Sequence, residues 1–203
     1  MSWEEITRQK MLHLKLPTDP RWVGIAGMQI EDILADHAFC EQKAASSCIS
    51  LILRYHDLDH LVDTLTPIVA EEWGHFERVM DQIRKRGLSF GKPRKDEYVV
   101  QLFEFMKSGG SRMHQLTENL LMNALIEARS CERFKLLSQN IADEELQKFY
   151  YELMISEAGH YVTFIELARY YVGPEKVNSR WQEWLNFEAE VLRRMNLKGD
   201  RMH

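Results

Sequence analysis

The sequence predicts an all-α protein: a bundle of four long helices, one long crossover between helices 2 and 3, and an extra C-terminal helix. Three observations carry this. Apolar residues recur at steps of three and four through most of the chain, and the β-branched alternation of strands is absent. Only 10 glycines and 5 prolines occur in 203 residues, and they stand between the periodic runs. Each of four runs also carries a glutamate in the middle of its apolar stripe.

Taken in order, Pro17 and Pro20 mark a lead-in, and long helices are expected near 27–55 and 58–86. Gly87, Gly91, Pro93 and Gly109-Gly110 bracket a middle segment with a short amphipathic helix near 97–107. A 28-residue helix is about 42 Å long, and segment 87–110 can span that distance as a single crossover. Long helices follow near 111–139 and 143–172, the last stopped by Gly173-Pro174. A final helix near 178–196 has Trp181, Trp184, Val191 and Met195 on its apolar side.

Composition narrows the class. The chain has the length of one domain, 1–203, with 45% hydrophobic and 28% charged residues. No apolar run approaches the roughly 18 residues of a membrane span, and the opening Met-Ser-Trp-Glu-Glu does not read as a signal peptide. Three cysteines without a Cys-x-x-Cys pair argue against a disulfide framework and a thiolate metal site. A cytoplasmic protein is expected. Net charge is −5, yet Arg84, Lys85, Arg86, Lys92, Arg94 and Lys95 crowd one connecting segment.

The stripes point to metal. They run Ile30, Leu34, His37, Glu41, Ala45, Cys48, Ile52 in helix 1 and Leu61, Leu65, Ile68, Glu72, His75, Val79, Ile83 in helix 2. Helix 3 has Leu116, Leu120, Ala124, Glu127, Cys131, Phe134, Leu137, and helix 4 has Leu146, Phe149, Leu153, Glu157, His160, Phe164, Leu167, Tyr171. Burying an uncompensated charge costs several kcal/mol, so four core glutamates require a cation. Glu72 follows Glu41 by 31 positions and Glu157 follows Glu127 by 30, and each second glutamate opens a Glu-x-Gly-His-aromatic sequence. The chain is thus two similar helical hairpins, each giving one Glu and one Glu-x-x-His. Residues i and i+3 share a helix face, and this ligand set is that of ferritin-like di-iron and di-manganese bundles. The expected metal ligands are Glu41, Glu72, His75, Glu127, Glu157 and His160. Four carboxylates balance two divalent ions, and oxygen with imidazole suits iron or manganese. Glu71 is the register rival of Glu72 but lies off the stripe.

Other residues admit two readings each. His37, one turn before Glu41, is a partner of the ligand or a core histidine bonded to backbone. Cys131 reads as small packing. Gly74 and Gly159 mark close helix packing or room beside the metals. Phe76, Phe134, Tyr161 and Phe164 line an apolar pocket or fill the core.

Local sequence then becomes informative. Pro17-Thr-Asp-Pro-Arg-Trp-Val23, Asp36-His37, Cys40-Glu-Gln-Lys-Ala-Ala-Ser46, Ile126-Glu-Ala-Arg-Ser-Cys-Glu-Arg-Phe134, Lys148-Phe-Tyr150 and Ser156-Glu-Ala-Gly-His160 occur in that order. Over residues 12–172 the chain resembles the bacterial tRNA-(2-methylthio-isopentenyladenosine) hydroxylases. The resemblance implies a non-haem di-iron monooxygenase with O2 as co-substrate. Its substrate would be the prenylated adenosine beside the tRNA anticodon, hydroxylated on the isopentenyl group. It further implies that Glu72 and Glu157 bridge two iron ions, that Glu41 and Glu127 are terminal ligands, and that each iron takes one of His75 and His160. An unactivated C–H bond has no acidic proton, so its cleavage needs redox chemistry. The basic segment would meet phosphates of the anticodon stem-loop, with Arg193, Arg194, Lys198 and Arg201 as lesser candidates. Without Gly-x-Gly-x-x-Gly or Cys-x-x-Cys, electrons are expected from a separate reductase.

The same ligands serve three rivals. A di-manganese catalase needs neither reductase nor basic segment. A quinone-precursor hydroxylase wants an exposed apolar helix face for the membrane, and an iron-storing ferritin relative lacks the second Glu-x-x-His. Catalase and quinone hydroxylase stand as the alternatives.

Overall fold

The computed structural model describes residues 12–195 and 201–202, and no strand occurs among them. The helices are α1 (Arg21–Met28), α2 (Ile30–Arg54), α3 (Asp59–Lys85), α4 (Glu97–Phe105), α5 (Arg112–Asn140), α6 (Glu144–Val172) and α7 (Pro174–Arg194). The four long helices fall within three residues of the expected bounds. Helix α1 was not anticipated, and α7 begins four residues early. Gly173 adopts φ 88°, which ends α6, and Pro174 then opens α7 at once. Proline suits a first helical position because its missing N–H would have no helical partner there.

The described residues divide into two compact units, 21–96 with 201–202, and 12–20 with 97–195. In the first, α2 and α3 form an antiparallel hairpin through a tight turn in which Leu58 N–H donates to Tyr55 O at 2.9 Å. Its buried faces are Ile33, Leu34, Ala38, Glu41, Ala45, Cys48 and Leu51 against Leu61, Leu65, Ile68, Glu72, His75, Val79 and Ile83. Ile30 and Ile52, expected on the stripe, are only half-buried. Pro67 sits inside α3 on its exposed side, where water can satisfy the carbonyl that loses its donor.

In the other unit α5 and α6 form the second hairpin. Both starts are capped: Ser111 Oγ accepts from His114 N–H at 3.2 Å and Asp143 Oδ1 from Leu146 N–H at 3.0 Å. Helix α5 is buried nearly all round, because α4, α7 and the lead-in cover the side that α6 leaves open. That side holds Arg129, two residues from Glu127 and so on the opposite face. Arg129 and Glu188 are both 0% exposed. Arg129 Nε and Nη2 donate to Glu188 Oε1 at 2.8 and 2.6 Å, Nη2 also to Leu16 O at 2.9 Å, and Nη1 to Thr18 Oγ1 at 3.2 Å and to Glu132. A second such pair joins α5 to α7: Arg180 Nε and Nη2 grip both oxygens of Glu118 at 2.7 Å. Its guanidinium carbon also lies 4.5 Å from the centroid of the Phe105 ring of α4. Salt bridges this deep hold elements in register rather than add much net stability, and removing one partner strands the other.

Accordingly Arg129→Ala should cost about 3–5 kcal/mol in denaturant unfolding by leaving Glu188 buried without its guanidinium partner. The double variant Arg129→Met, Glu188→Leu should recover most of that loss.

Candidate metal centre

Each hairpin brings its three expected ligands together. In the first, Glu41 comes from α2, Glu72 and His75 from α3; in the second, Glu127 comes from α5, Glu157 and His160 from α6. All six are 1–6% exposed. Within each triad the ligand atoms lie within 4.8 Å of one another. His75 Nδ1 stands 3.5 Å from Glu41 Oε2 and 3.6 Å from Glu72 Oε2, and His160 Nδ1 stands 3.4 Å from Glu157 Oε2. Glu71 is on the exposed side of α3, so the register is that of Glu72.

The donors fit a divalent ion. Two atoms bound to one ion at about 2.1 Å each, and subtending 90–110°, lie roughly 3.0–3.4 Å apart. The observed 3.4–3.6 Å separations are near that range and longer than strong charge-assisted hydrogen bonds. Two buried carboxylates and a neutral imidazole carry charge −2 per hairpin, which one divalent ion balances. The nearby thiols are not ready anions. Burial, with Glu72 beside one and Glu157 beside the other, pushes Cys48 and Cys131 up to about 12. Cys131 Sγ instead meets Met154 O at 3.4 Å, the small packing role expected of it.

His37 is fully buried, and its Nε2 lies 2.6 Å from Glu41 Oε1, which selects the ligand-partner reading. The second hairpin has Asn123 at the matching place. Neither reading of the glycines holds. A Cβ added at Gly74 or Gly159 would meet nothing within 4 Å, and Gly159 is exposed. Two residues past Glu72 or Glu157 is the opposite side of the helix. The aromatic set also separates. Phe134 and Phe164 are core, whereas Tyr161 borders an outer cavity of about 390 Å³ with Trp181 and Arg169. Phe76 is half-buried beside Trp73 and Phe90.

The basic segment is partly engaged. Arg84 pairs with Asp81 at 3.2 Å, Arg86 donates to Gln82, and Arg94 Nη2 meets Asp32 Oδ1 at 2.8 Å. Lys85, Lys92 and Lys95 are exposed. Among the lesser candidates Arg193 and Arg194 are exposed, and Lys198 lies outside the described residues. Arg201 is turned toward buried Asp36, with Nε 4.0 Å from Oδ1, which argues against a phosphate role. The buried arginines Arg129 and Arg180 were missed. Their partners Glu188 and Glu118 lie 59 and 62 residues away, so no local pattern announces them.

Two outcomes follow. Gly159→Ala should stabilise by about 1 kcal/mol, raising Tm by about 2–4 °C. His37→Ala should weaken Fe(II) or Co(II) binding by about 10–100-fold in equilibrium titration, with helicity by circular dichroism unchanged.

Known proteins align with this arrangement along the chain. The family model described as tRNA-(MS2IO6A)-hydroxylase (MiaE) matches residues 5–203. The chain is 36% identical over 158 residues, 78% of its length and 76% of the relative's, to the tRNA 2-(methylsulfanyl)-N(6)-isopentenyladenosine(37) hydroxylase of Pseudomonas putida. It is 25% identical over 244 aligned positions to the protein of the same description from Salmonella typhimurium, covering 95% of this chain and 88% of that one. Among solved structures it is similar to a Synechococcus protein with aldehyde deformylating oxygenase activity, with TM-score 0.88, 31% identity and 94% of each chain covered. That similarity makes the fold ferritin-like. The paired Glu and Glu-x-x-His hairpins are thus found in a chain that belongs to the tRNA-(MS2IO6A)-hydroxylase family.

Proposed function

We propose that this protein hydroxylates the isopentenyl group of the prenylated (2-methylthio) adenosine next to the anticodon of tRNA, consuming O2. The observation that carries this is the family match over residues 5–203 in a chain that keeps both buried Glu, Glu, His triads. The two curated relatives bear the same description, and no equivalent finding favours the catalase or the quinone hydroxylase. No helix among the described residues is long and apolar enough to cross a membrane.

The triads are assigned to iron, which Glu41, Glu72, His75, Glu127, Glu157 and His160 would hold. Once bound, iron supplies the redox chemistry by which O2 is used to break an unactivated C–H bond. The chain's own work is to hold and isolate. Four buried carboxylates keep the ions charge-neutral, and the imidazoles are fixed by position on α3 and α6. His37 orients Glu41 and can hold a proton at Nε2. The surrounding leucine, alanine and phenylalanine side chains exclude water that would quench the reaction. Arg84, Lys85, Arg86, Lys92, Arg94 and Lys95 are assigned to stem-loop phosphates, Lys92 and Lys95 with the freest reach. Reducing electrons are assigned to a separate protein.

The test is the modified-nucleoside profile of tRNA from cells with and without the gene, by liquid chromatography and mass spectrometry. Deletion should abolish the hydroxylated prenyl-adenosine and accumulate its precursor, and a Glu72→Ala copy should fail to restore it. An unchanged profile in cells that make the prenylated base would overturn the assignment.

A further inference from the structure

A row of four aromatic rings runs along the flank of the first hairpin. Phe39 of α2 stacks on Phe90 with centroids 4.4 Å apart and planes 21° from parallel. Phe90 meets the edge of Phe76 of α3 at 6.0 Å, and Phe76 meets Trp73 at 4.9 Å. The three phenylalanines are half-buried, and the row ends in Trp73, 45% exposed. Phe39 and Phe90 account for fastening the connecting segment onto the hairpin. Trp73 extends the row beyond that contact and leaves nearly half of its surface open to solvent.

Phe90 is embedded in the basic segment, with Arg84, Lys85 and Arg86 before it and Lys92, Arg94 and Lys95 after it. Trp73 and Arg84 are eleven residues apart on α3, hence about 20° apart around the axis and about 16 Å along it. One helix face therefore carries a π surface at one end and the Arg84 guanidinium at the other. Exposed Glu77, one turn along α3 from Trp73, keeps phosphates away from that end and leaves it for neutral bases. Aromatic faces interleaved with cations are what unpaired nucleic acid requires, since every base has a π face and every linkage a charge.

We propose that Trp73, backed by Phe76 and Phe90, is a stacking platform for an unpaired base of the tRNA anticodon loop, positioning the loop while the 84–95 segment holds its backbone. This rests on the tRNA reading above and adds residues to it. Trp73 acts here as a positioning residue. RNA sequence is read mostly in unstacked loops, where bases stack on side chains of this kind.

The experiment is binding of a fluorescently labelled anticodon stem-loop RNA carrying the prenylated adenosine to the full iron-loaded chain, across a salt series. Trp73→Leu keeps apolar contact with Phe76 but has no π face, and Trp73→Phe keeps one. Trp73→Leu should weaken binding by about 5- to 150-fold with an unchanged slope of log affinity against log salt. Trp73→Phe should stay close to wild type. The double variant Lys92→Ala, Lys95→Ala should instead flatten the slope by about 1.4. Wild-type affinity in Trp73→Leu, with the lysine variant still flattened, overturns the platform and leaves the tRNA reading standing. Failure of the wild-type protein to bind the stem-loop overturns both.

Discussion

The burial of two carboxylates beside one imidazole in each helical hairpin is the constraint from which the rest of this structure follows. Such a cluster is tolerable only around a cation, and only if the helices that supply it cannot drift. Length serves that end. The long helices place each ligand at mid-span, so that apolar turns on both sides fix its depth. Tightness serves it too, through the short turn at 55–58 in one hairpin and the capped turn at 141–143 in the other.

Much of this was legible because the chemistry is periodic. A glutamate that falls on a leucine stripe must point inward, and a second copy with the same spacing excludes accident. The register of Glu72 over Glu71 came from that periodicity alone. The same rule, had it been applied two residues further, would have turned Gly74 and Gly159 outward, since two steps of 100° reach the far side of a helix. Helix α1 was not anticipated after the Pro17 and Pro20 lead-in, and burial of Trp22 and Ala26 anchors it although Gly24 and Gly27 are weak helix formers.

Buried Arg129 was not legible, for a different reason. Its burial depends on Glu188, 59 residues on, and on Leu16 and Thr18, over 100 residues back. A charged side chain with distant partners looks the same in sequence as a solvated one. The basic segment errs in the other direction. Composition made it appear as six equivalent cations, whereas Asp81, Gln82 and Asp32 occupy three of them.

The two hairpins repeat in their ligands but not in their surroundings. Around the second, a guanidinium two residues from Glu127 ties α5 to α7 and to the lead-in, so that copy is braced from behind. The first shows half-open aromatic rings on its flank. If the repeat descends from duplication of one hairpin, the copies have divided the labour that a single ancestor had to combine. One became a frame whose tolerance of mutation is low throughout; the other kept an outer surface free to diverge, and there a lineage could change what it recognises without disturbing its chemistry.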